Sequence, residues 1–459
     1  MFERRVDLRH ARSYVPITLH LVLEARVNRS PSSGLTRRQL LAATALSVPL
    51  LSACQNPTGG GGGGSAALKI GFVSPRTGPA AGFGEPDAYV LGLARKAFAG
   101  GLTVAGKTYT VEIIDRDGQS NPQRASQVAN DLINGAGVDL MLTTSTPETV
   151  NPVSDACEAA GVPCVSTVVP WEAWYFGRGA EPGQNAAFKF TFHFCFGVAQ
   201  FANAYTHLWP QIATNKKVGV MWPNDSDGNA IRQALGPLLT KAGYTVVDPG
   251  AYTDGTNDYS AQIATFKAED CEIFNTFPIP PDFATFWQQA AQQGYTPKIA
   301  QVAKTGLFPS QIEALGPIGV NIAGGAYWAP TYPYSSSLTK ITSQGLADGY
   351  RQSTGKQWNQ QLGPSLALFD VAAAALRKAS DPKDKAAVAA AIRTLDVPTP
   401  VGRLQWGKGP NANVVATPIL GGQWVAAPAG GQDKVTFVLC ENSSDPQVPV
   451  AAKLRPYRA

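Results

Sequence analysis

The side chains that could do chemistry in this chain do not assemble into a catalytic set. Of its four histidines, only His193 and His207 lie beyond the first 53 residues. Neither has a second metal-type ligand at the spacing a zinc site needs. The G-x-S-x-G elbow and a G-x-G-x-x-G fingerprint after a strand are missing, and Gly82-Phe83-Gly84 is too short to be the latter. Asp115 and Asp117 close a β-rich stretch. Aspartates there hold either a metal or, more commonly, the N–H groups of their own loop. Both histidines read as packed or surface residues. No metal, cofactor or nucleophile–histidine pair is implied, so an exported hydrolase is disfavoured. Ring chemistry is concentrated instead. The run Val168-Val169-Pro170-Trp171-Glu172-Ala173-Trp174-Tyr175-Phe176 puts four aromatic rings within six residues. It reads either as a face on which a flat ligand stacks or as an apolar lid packed on the body.

The elements that must position these residues alternate in type. Short apolar strands are predicted over 68–73, 109–114, 138–143 and 162–168, with helices over 86–99, 122–133 and 152–160 between them. Asn121 is a natural N-cap for the second helix. The rhythm restarts with helices over 201–209, 228–242, 259–268 and 282–293 and strands over 217–222, 245–247 and 272–277. A strand near 322–328 and helices over 338–354, 366–379 and 383–395 follow. This order is that of an α/β fold with mostly parallel sheets. Ligands of such sheets lie past the carboxyl ends of the strands. The loops at 74–84, 115–121, 144–149, 167–174, 223–228 and 278–282 are therefore the ones that matter.

Composition narrows the class. Only 15% of the 459 residues are charged, 44% are hydrophobic, and there are 46 Gly and 35 Pro. A formal charge of +5 over this length does not imply nucleic acid. The basic excess lies in residues 1–53 and leaves the remainder near neutral. No uninterrupted apolar stretch long enough to span a bilayer follows the N-terminus. Residues 35–54, LTRRQLLAATALSVPLLSAC, read as an export signal: Arg37-Arg38 as a basic start, a short apolar run, and Leu51-Ser52-Ala53-Cys54 as a lipobox. The paired arginines favour twin-arginine over general export, and a translation start near Val27 would leave a signal of ordinary length. Cys54 is then the lipidated N-terminus. Gly59 to Gly64 form a flexible tether above the membrane.

Several segments resemble the branched-chain amino-acid (Leu/Ile/Val) binding protein family, type I periplasmic substrate-binding proteins of ABC importers. Gly71-Phe72-Val73-Ser74-Pro75-Arg76-Thr77-Gly78-Pro79, continuing to Phe83-Gly84, is similar to that family's first strand and loop. The stretch from Glu112 to Pro122, Ala160-Gly161-Val162-Pro163, Lys217-Val218-Gly219-Val220 with Pro223-Asn224-Asp225, Asp258-Tyr259-Ser260 and Thr399-Pro400-Val401-Gly402 follow in the family's order. The resemblance implies two Rossmann-like lobes joined by three crossover strands, near Phe196, Tyr327 and Val397. Residues 68–196 plus 327–396 would form the first lobe and 197–326 plus 397–459 the second, after an export signal over 1–53 and a tether over 54–67.

It also implies ligand contacts. Phe83 matches a ring that covers the ligand, its neighbouring glycines letting the loop expose it. Ser145 and Thr146 match a hydroxyl loop that holds a carboxylate. Val168, Trp171 and Trp174 replace a small residue and a threonine. Asp227 stands where the family has an aromatic, and reads either as an acceptor for the ligand or as a helix N-cap before Gly228. Phe277 opens a stiff Phe277-Pro278-Ile279-Pro280-Pro281 loop. Phe196 and Trp328, beside crossovers, would line the hinge side. Five cysteines follow Cys54. Cys157 with Cys164, and Cys271 with Cys440, are expected to pair. The expectation is a monomeric, lipid-anchored extracytoplasmic protein that closes on a small amino-acid, amide or aromatic solute and hands it to an ABC permease. The alternative is a sensor of the same fold.

Overall fold

The computed structural model describes residues 67–458. The export signal, Cys54 and the glycine run lie outside the described residues. The chain first lays down β1 (Leu68–Ser74), α1 (Asp87–Ala97), a small hairpin of β2 (Leu102–Val104) and β3 (Lys107–Tyr109), and β4 (Val111–Asp117). It continues through α2 (Pro122–Asn130), β5 (Leu140–Thr144), α3 (Pro147–Ala160), β6 (Cys164–Thr167), α4 (Trp171–Tyr175) and β7 (Thr191–Cys195). The local chemistry explains the boundaries. The Arg124 N–H donates to Asn121 Oδ1 (2.8 Å), which caps α2. Helix α3 starts at Pro147, five residues earlier than the sequence suggests, because that proline takes the first helical position where its missing N–H costs nothing. It ends on Gly161, whose φ of 64° suits glycine.

After β7 come α5 (Val198–Leu208), β8 (Lys217–Met221), α6 (Ser226–Lys241), β9 (Thr245–Val247), α7 (Ser260–Ala268) and β10 (Ile273–Thr276). Then follow α8 (Pro280–Gln292), β11 (Ile299–Val302), α9 (Pro309–Ala314) and β12 (Ala323–Ala326). The last third adds α10 (Ser343–Thr354), α11 (Leu362–Lys378), α12 (Lys385–Ile392), β13 (Asp396–Thr399), β14 (Gly402–Gln405), β15 (Val414–Ala416), β16 (Leu420–Ala426) and β17 (Val435–Glu441).

Two sheets result. The first runs β15-β7-β6-β5-β1-β4, parallel throughout. The second runs β17-β16-β12-β11-β10-β8-β9, parallel except for β16 and β17. Each sheet with its helices is a lobe. Strands β5, β6, β7, β10 and β11 are buried at every position, as sheets covered on both faces require. Helix α11 is buried along nearly its whole length, from Leu362 to Leu376. It packs against α1, β5 and β6.

The chain leaves the first sheet after Cys195 and returns after Ala326. The third passage differs from the expectation near Val397. Thr399-Pro400-Val401-Gly402 is the tight turn of the β13–β14 hairpin, with Thr399 opposite Gly402 and Gly402 at φ 102°. The hairpin packs on α11, and the chain then pairs β15 with β7. It crosses only between Ala416 and Leu420. Residues 397–416 therefore go with the first sheet, because a turn motif fixes a local reversal and not the sheet that the next strand joins.

The five described cysteines are buried free thiols. Cys271 precedes β10 and Cys440 lies on β17, with β11, β12 and β16 between them. Strands about 4.8 Å apart put that pair far beyond bridging distance, so the expected bridge is absent. The Cys157 and Cys164 thiols are neighbours and hydrogen-bonded, and burial pushes the Cys157 thiol well up.

Candidate functional site

Four of the eleven non-glycine residues with positive φ among the described residues fall in one region. Ser145 (φ 70°), Thr146 (φ 58°), Val168 (φ 60°) and Lys304 (φ 43°) are non-glycine residues in left-handed conformation. They sit just past the carboxyl ends of β5, β6 and β11. Such conformations cost about 1–2 kcal/mol each and persist only where the surroundings impose them. Three of the four, Thr146, Val168 and Lys304, line a tight cavity of about 40 Å³ between the two sheets.

Each wall has its own source. The first lobe supplies Phe83, Thr146, Val168 and Pro170, and the second supplies Phe201, Asp227, Phe277, Ala303, Lys304 and Leu307. Phe196, Gly325, Tyr327 and Ile419, beside the three passages, form the hinge side. The rings are linked: Tyr327 to Phe196 (5.2 Å), Phe196 to Phe201 (5.0 Å) and Phe201 to Phe277 (5.0 Å). Phe83 is presented by a short turn in which Gly84 is obligatory, since a Cβ there would stand 2.7 Å from Pro75 O. Its ring meets Phe308 of the second lobe edge-on at 4.9 Å. Wall and contact together make a closed, ring-lined chamber.

One buried polar group interrupts the rings. Lys304 Nζ lies 2.6 Å from Asp225 Oδ2 and 3.1 Å from Asp227 Oδ2. Desolvation opposes the ammonium, but Asp225, Asp227 and Glu148 outweigh it and hold Lys304 well above its ordinary value. Two carboxylates share one ammonium, so one of them protonates more readily. Asp225 has the shorter contact. Asp227 is raised to about 7, by burial first and by Asp225 and Glu148 after it, against the pull of Lys304. The helix-capping role falls to Asp225, whose Oδ1 accepts from the Gly228 N–H (2.6 Å). Asp227 is therefore not the helix cap, and it lines the chamber.

Of the residues expected at the site, Phe83, Thr146, Val168, Phe196, Asp227 and Phe277 line the chamber. Ser145 does not. Its hydroxyl donates to Gln361 Oε1 (3.2 Å), and Gln361 Nε2 donates to Tyr327 OH, so Ser145 ties β5 to the second passage. Trp174 is wholly buried, with its Nε1–H donating to Ser154 Oγ (3.2 Å) and its ring stacked on His193 at 5.0 Å. Trp171 packs on Phe176 and against Gly197, where a Cβ would collide with its Nε1. The aromatic run is thus helix α4 packed on the body, and only Val168 and Pro170 from that stretch reach the chamber. Trp328 lies behind it, donating to Ser343 Oγ (3.2 Å) and resting on Gly363.

Sequence reasoning missed Lys304, Phe201, Leu307, Pro170 and Ile419, and named Tyr327 only as a passage. Lys304 follows β11, a strand that carried no readable alternation. Asp115 pairs with Arg76 (2.5 Å) and Arg95 (2.6 Å), and Asp117 accepts from the N–H groups of Arg76 and Gln119, which gives both a structural role. His193 is neutral and buried, with its value lowered to about 3 chiefly by burial.

Comparison with known proteins agrees with this architecture. Residues 67–432 match the family model described as a periplasmic binding protein. The Leu/Ile/Val-binding protein homolog 8 of Brucella abortus (strain 2308) is 24% identical over 373 residues, 78% of this chain and 88% of that protein. Homolog 3 of Brucella melitensis is 24% identical over 208 residues, 45% of this chain, so the match spans about half (53%) of that relative. Among solved structures, the leucine-binding protein LivK of Thermotoga maritima MSB8 superposes with a TM-score of 0.65 at 19% identity, covering 83% of this chain and 99% of that one. A solute-binding protein of an ABC transporter from Rhodopseudomonas palustris BisB5, in complex with 3,4-dihydroxybenzoic acid, gives a TM-score of 0.64 at 17% identity, covering 81% and 95%. The chain belongs to the periplasmic binding protein family, solute-binding proteins rather than enzymes, in the type I fold of the branched-chain amino-acid binding proteins.

Proposed function

We propose that this protein is a lipid-anchored, extracytoplasmic receptor that closes on a small molecule with an aromatic or branched apolar body and delivers it to an ABC permease. The observation that carries the reading is the ring-walled chamber between the lobes, built from Phe83, Phe196, Phe201 and Phe277. Rings bury flat or branched apolar groups well, and a chamber shared by two lobes makes affinity depend on closure. A leucine-binding protein and a dihydroxybenzoate complex of the same fold are in keeping with such a body. The lipobox ending at Cys54 and the glycine run after it support a tethered protein working at the membrane surface.

A thermal-shift screen of the full-length protein with amino acids, amides, short peptides and aromatic acids tests this. A ligand at 100 times its Kd stabilises by about 2.7 kcal/mol. The expected result is a hit whose shift disappears in Phe277→Ala. A hit of unchanged affinity in Phe277→Ala and Phe201→Ala would place the ligand elsewhere and overturn the reading.

A further inference from the structure

We infer that the chamber selects a ligand whose polar head is a hydrogen-bond donor, an amine, amide or hydroxyl, and that it discriminates against a free carboxylate. The inference rests on the chamber being the ligand site, and three observations on that site carry it.

The first is an orphaned acceptor. Asp227 is 4% exposed and lines the chamber. Its Oδ2 faces Lys304, but Oδ1 has no hydrogen-bond partner among the described residues. A buried carboxylate oxygen left unpaired is unfavourable, and a donor on the ligand removes that penalty.

The second is the sign of the local field. Among the described residues Lys304 is the one cation in the chamber wall, and its ammonium is already engaged by Asp225 and Asp227. Glu148, Asp254 and Asp282 act on the same group of charges. Two carboxylates contact the one base, and Glu148 adds to the same negative field. A ligand carboxylate would be repelled in so dry a site, whereas an amine, or the positive end of an amide or hydroxyl, would be attracted.

The third is the loss of anion-holding devices on the facing lobe. The start of α3 reaches the chamber at Thr146, yet its first position is Pro147, which has no N–H, and its first turn carries Glu148. The Thr149 and Val150 N–H groups both donate to Thr146 O. The Ser145 hydroxyl is held by Gln361. Val168 and Pro170 add only apolar surface. Of the side chains of this lobe that line the chamber, Thr146 alone among the described residues could donate to a carboxylate.

Titration calorimetry of the full chain with two matched series tests the inference: benzylamine, benzamide and benzoate, and isopentylamine, isovaleramide and isovalerate. The amine or amide of a series is expected to bind at least tenfold tighter than its acid. Asp227→Asn should erase most of that preference. Glu148→Gln, which leaves the Lys304 contacts alone, should narrow it by raising affinity for the acid. An acid that binds as tightly as its amine and amide, with affinity lost in Phe277→Ala, would overturn the head-group inference and leave the chamber as the site. Binding unaffected by Phe277→Ala, or by none of the six compounds, would remove the chamber reading itself.

Discussion

The ring of Phe83, on the first lobe, stands edge-on to the ring of Phe308 on the second, with centroids 4.9 Å apart and an interplanar angle of 85°. Gly82 lies against the same Phe308 ring. The pair is one of several contacts between the lobes, beside α4 against α6 and Arg351 with Asp433, and edge-to-face pairs contribute about 0.5–1.5 kcal/mol beyond their buried area. Phe308→Ala should therefore shift the population toward open forms. Small-angle scattering should show a larger radius of gyration, and ligand affinity should fall roughly two- to tenfold, mostly through faster dissociation. An unchanged radius and affinity would mean that the pair does not govern closure.

Lys304 holds two buried carboxylates, and Lys304→Met leaves both without a counter-ion. Removing one partner of a buried ionic group costs about 3–5 kcal/mol. The pH dependence has a definite sign. Asp227 is already raised to about 7 from 3.8, so its protonated form favours the fold. That contribution is complete below about pH 4 and is lost as pH rises through 7. With the lysine gone the loss deepens, and urea unfolding should show a larger deficit at pH 8 than at pH 5. Equal deficits would count against a shared-ammonium role.

Gly197 lies at the first passage between sheets. A Cβ there would collide with Trp171 Nε1 and approach Glu172 Oε1 at 2.6 Å. Glu172 in turn accepts from the Val198 N–H through both oxygens (3.0 and 3.1 Å), clamping α4 to the start of α5. Gly197→Ala should destabilise by about 1–3 kcal/mol, as overpacking does, and should alter ligand affinity because the hinge geometry shifts. Unchanged melting and affinity would show that the Trp171–Glu172 corner yields freely.

His193 is a pH-sensitive element of the first lobe. Its Nε2–H donates to Val169 O (2.8 Å), its Nδ1 pairs with the Ser166 hydroxyl (2.8 Å), and burial favours the neutral ring. With its value lowered to about 3 by burial against an ordinary 6.5, its stabilising contribution is complete above 6.5 and falls as pH drops toward 3. At pH 5 the cost is about 2 kcal/mol. His193→Gln should be less stable at pH 7 but should lose that part of the acid slope between pH 7 and 5. A slope identical to wild type would assign it to other groups.

Much of the architecture was legible from local signals. The Asn121 cap, the apolar strands 68–74 and 217–221 and the glycine-flanked Phe83 each follow from side-chain chemistry within a few residues. Long-range association was not legible. The buried strands β7 and β11 are apolar or mixed on both faces and carry no alternation. The rings of 171–176 have ring-stacking chemistry, but α4 turns Trp174 and Tyr175 into the body while Trp171 is half-buried and Phe176 stays exposed. The turn at 399–402 was readable as a turn, while its consequence, β15 joining β7, was not.

By itself the sequence determined the alternation of strands and helices and several of the rings that line the chamber. These depend on periodicity and short-range sterics. Only the tertiary structure decided what those rings enclose. Lys304 meets Asp225 across 79 residues of chain, and Ser145 meets Gln361 across 216. Such pairings depend on which strands lie side by side and where the chain changes sheets. No local pattern encodes that, so the polar character of the site emerges only when the two sheets face each other.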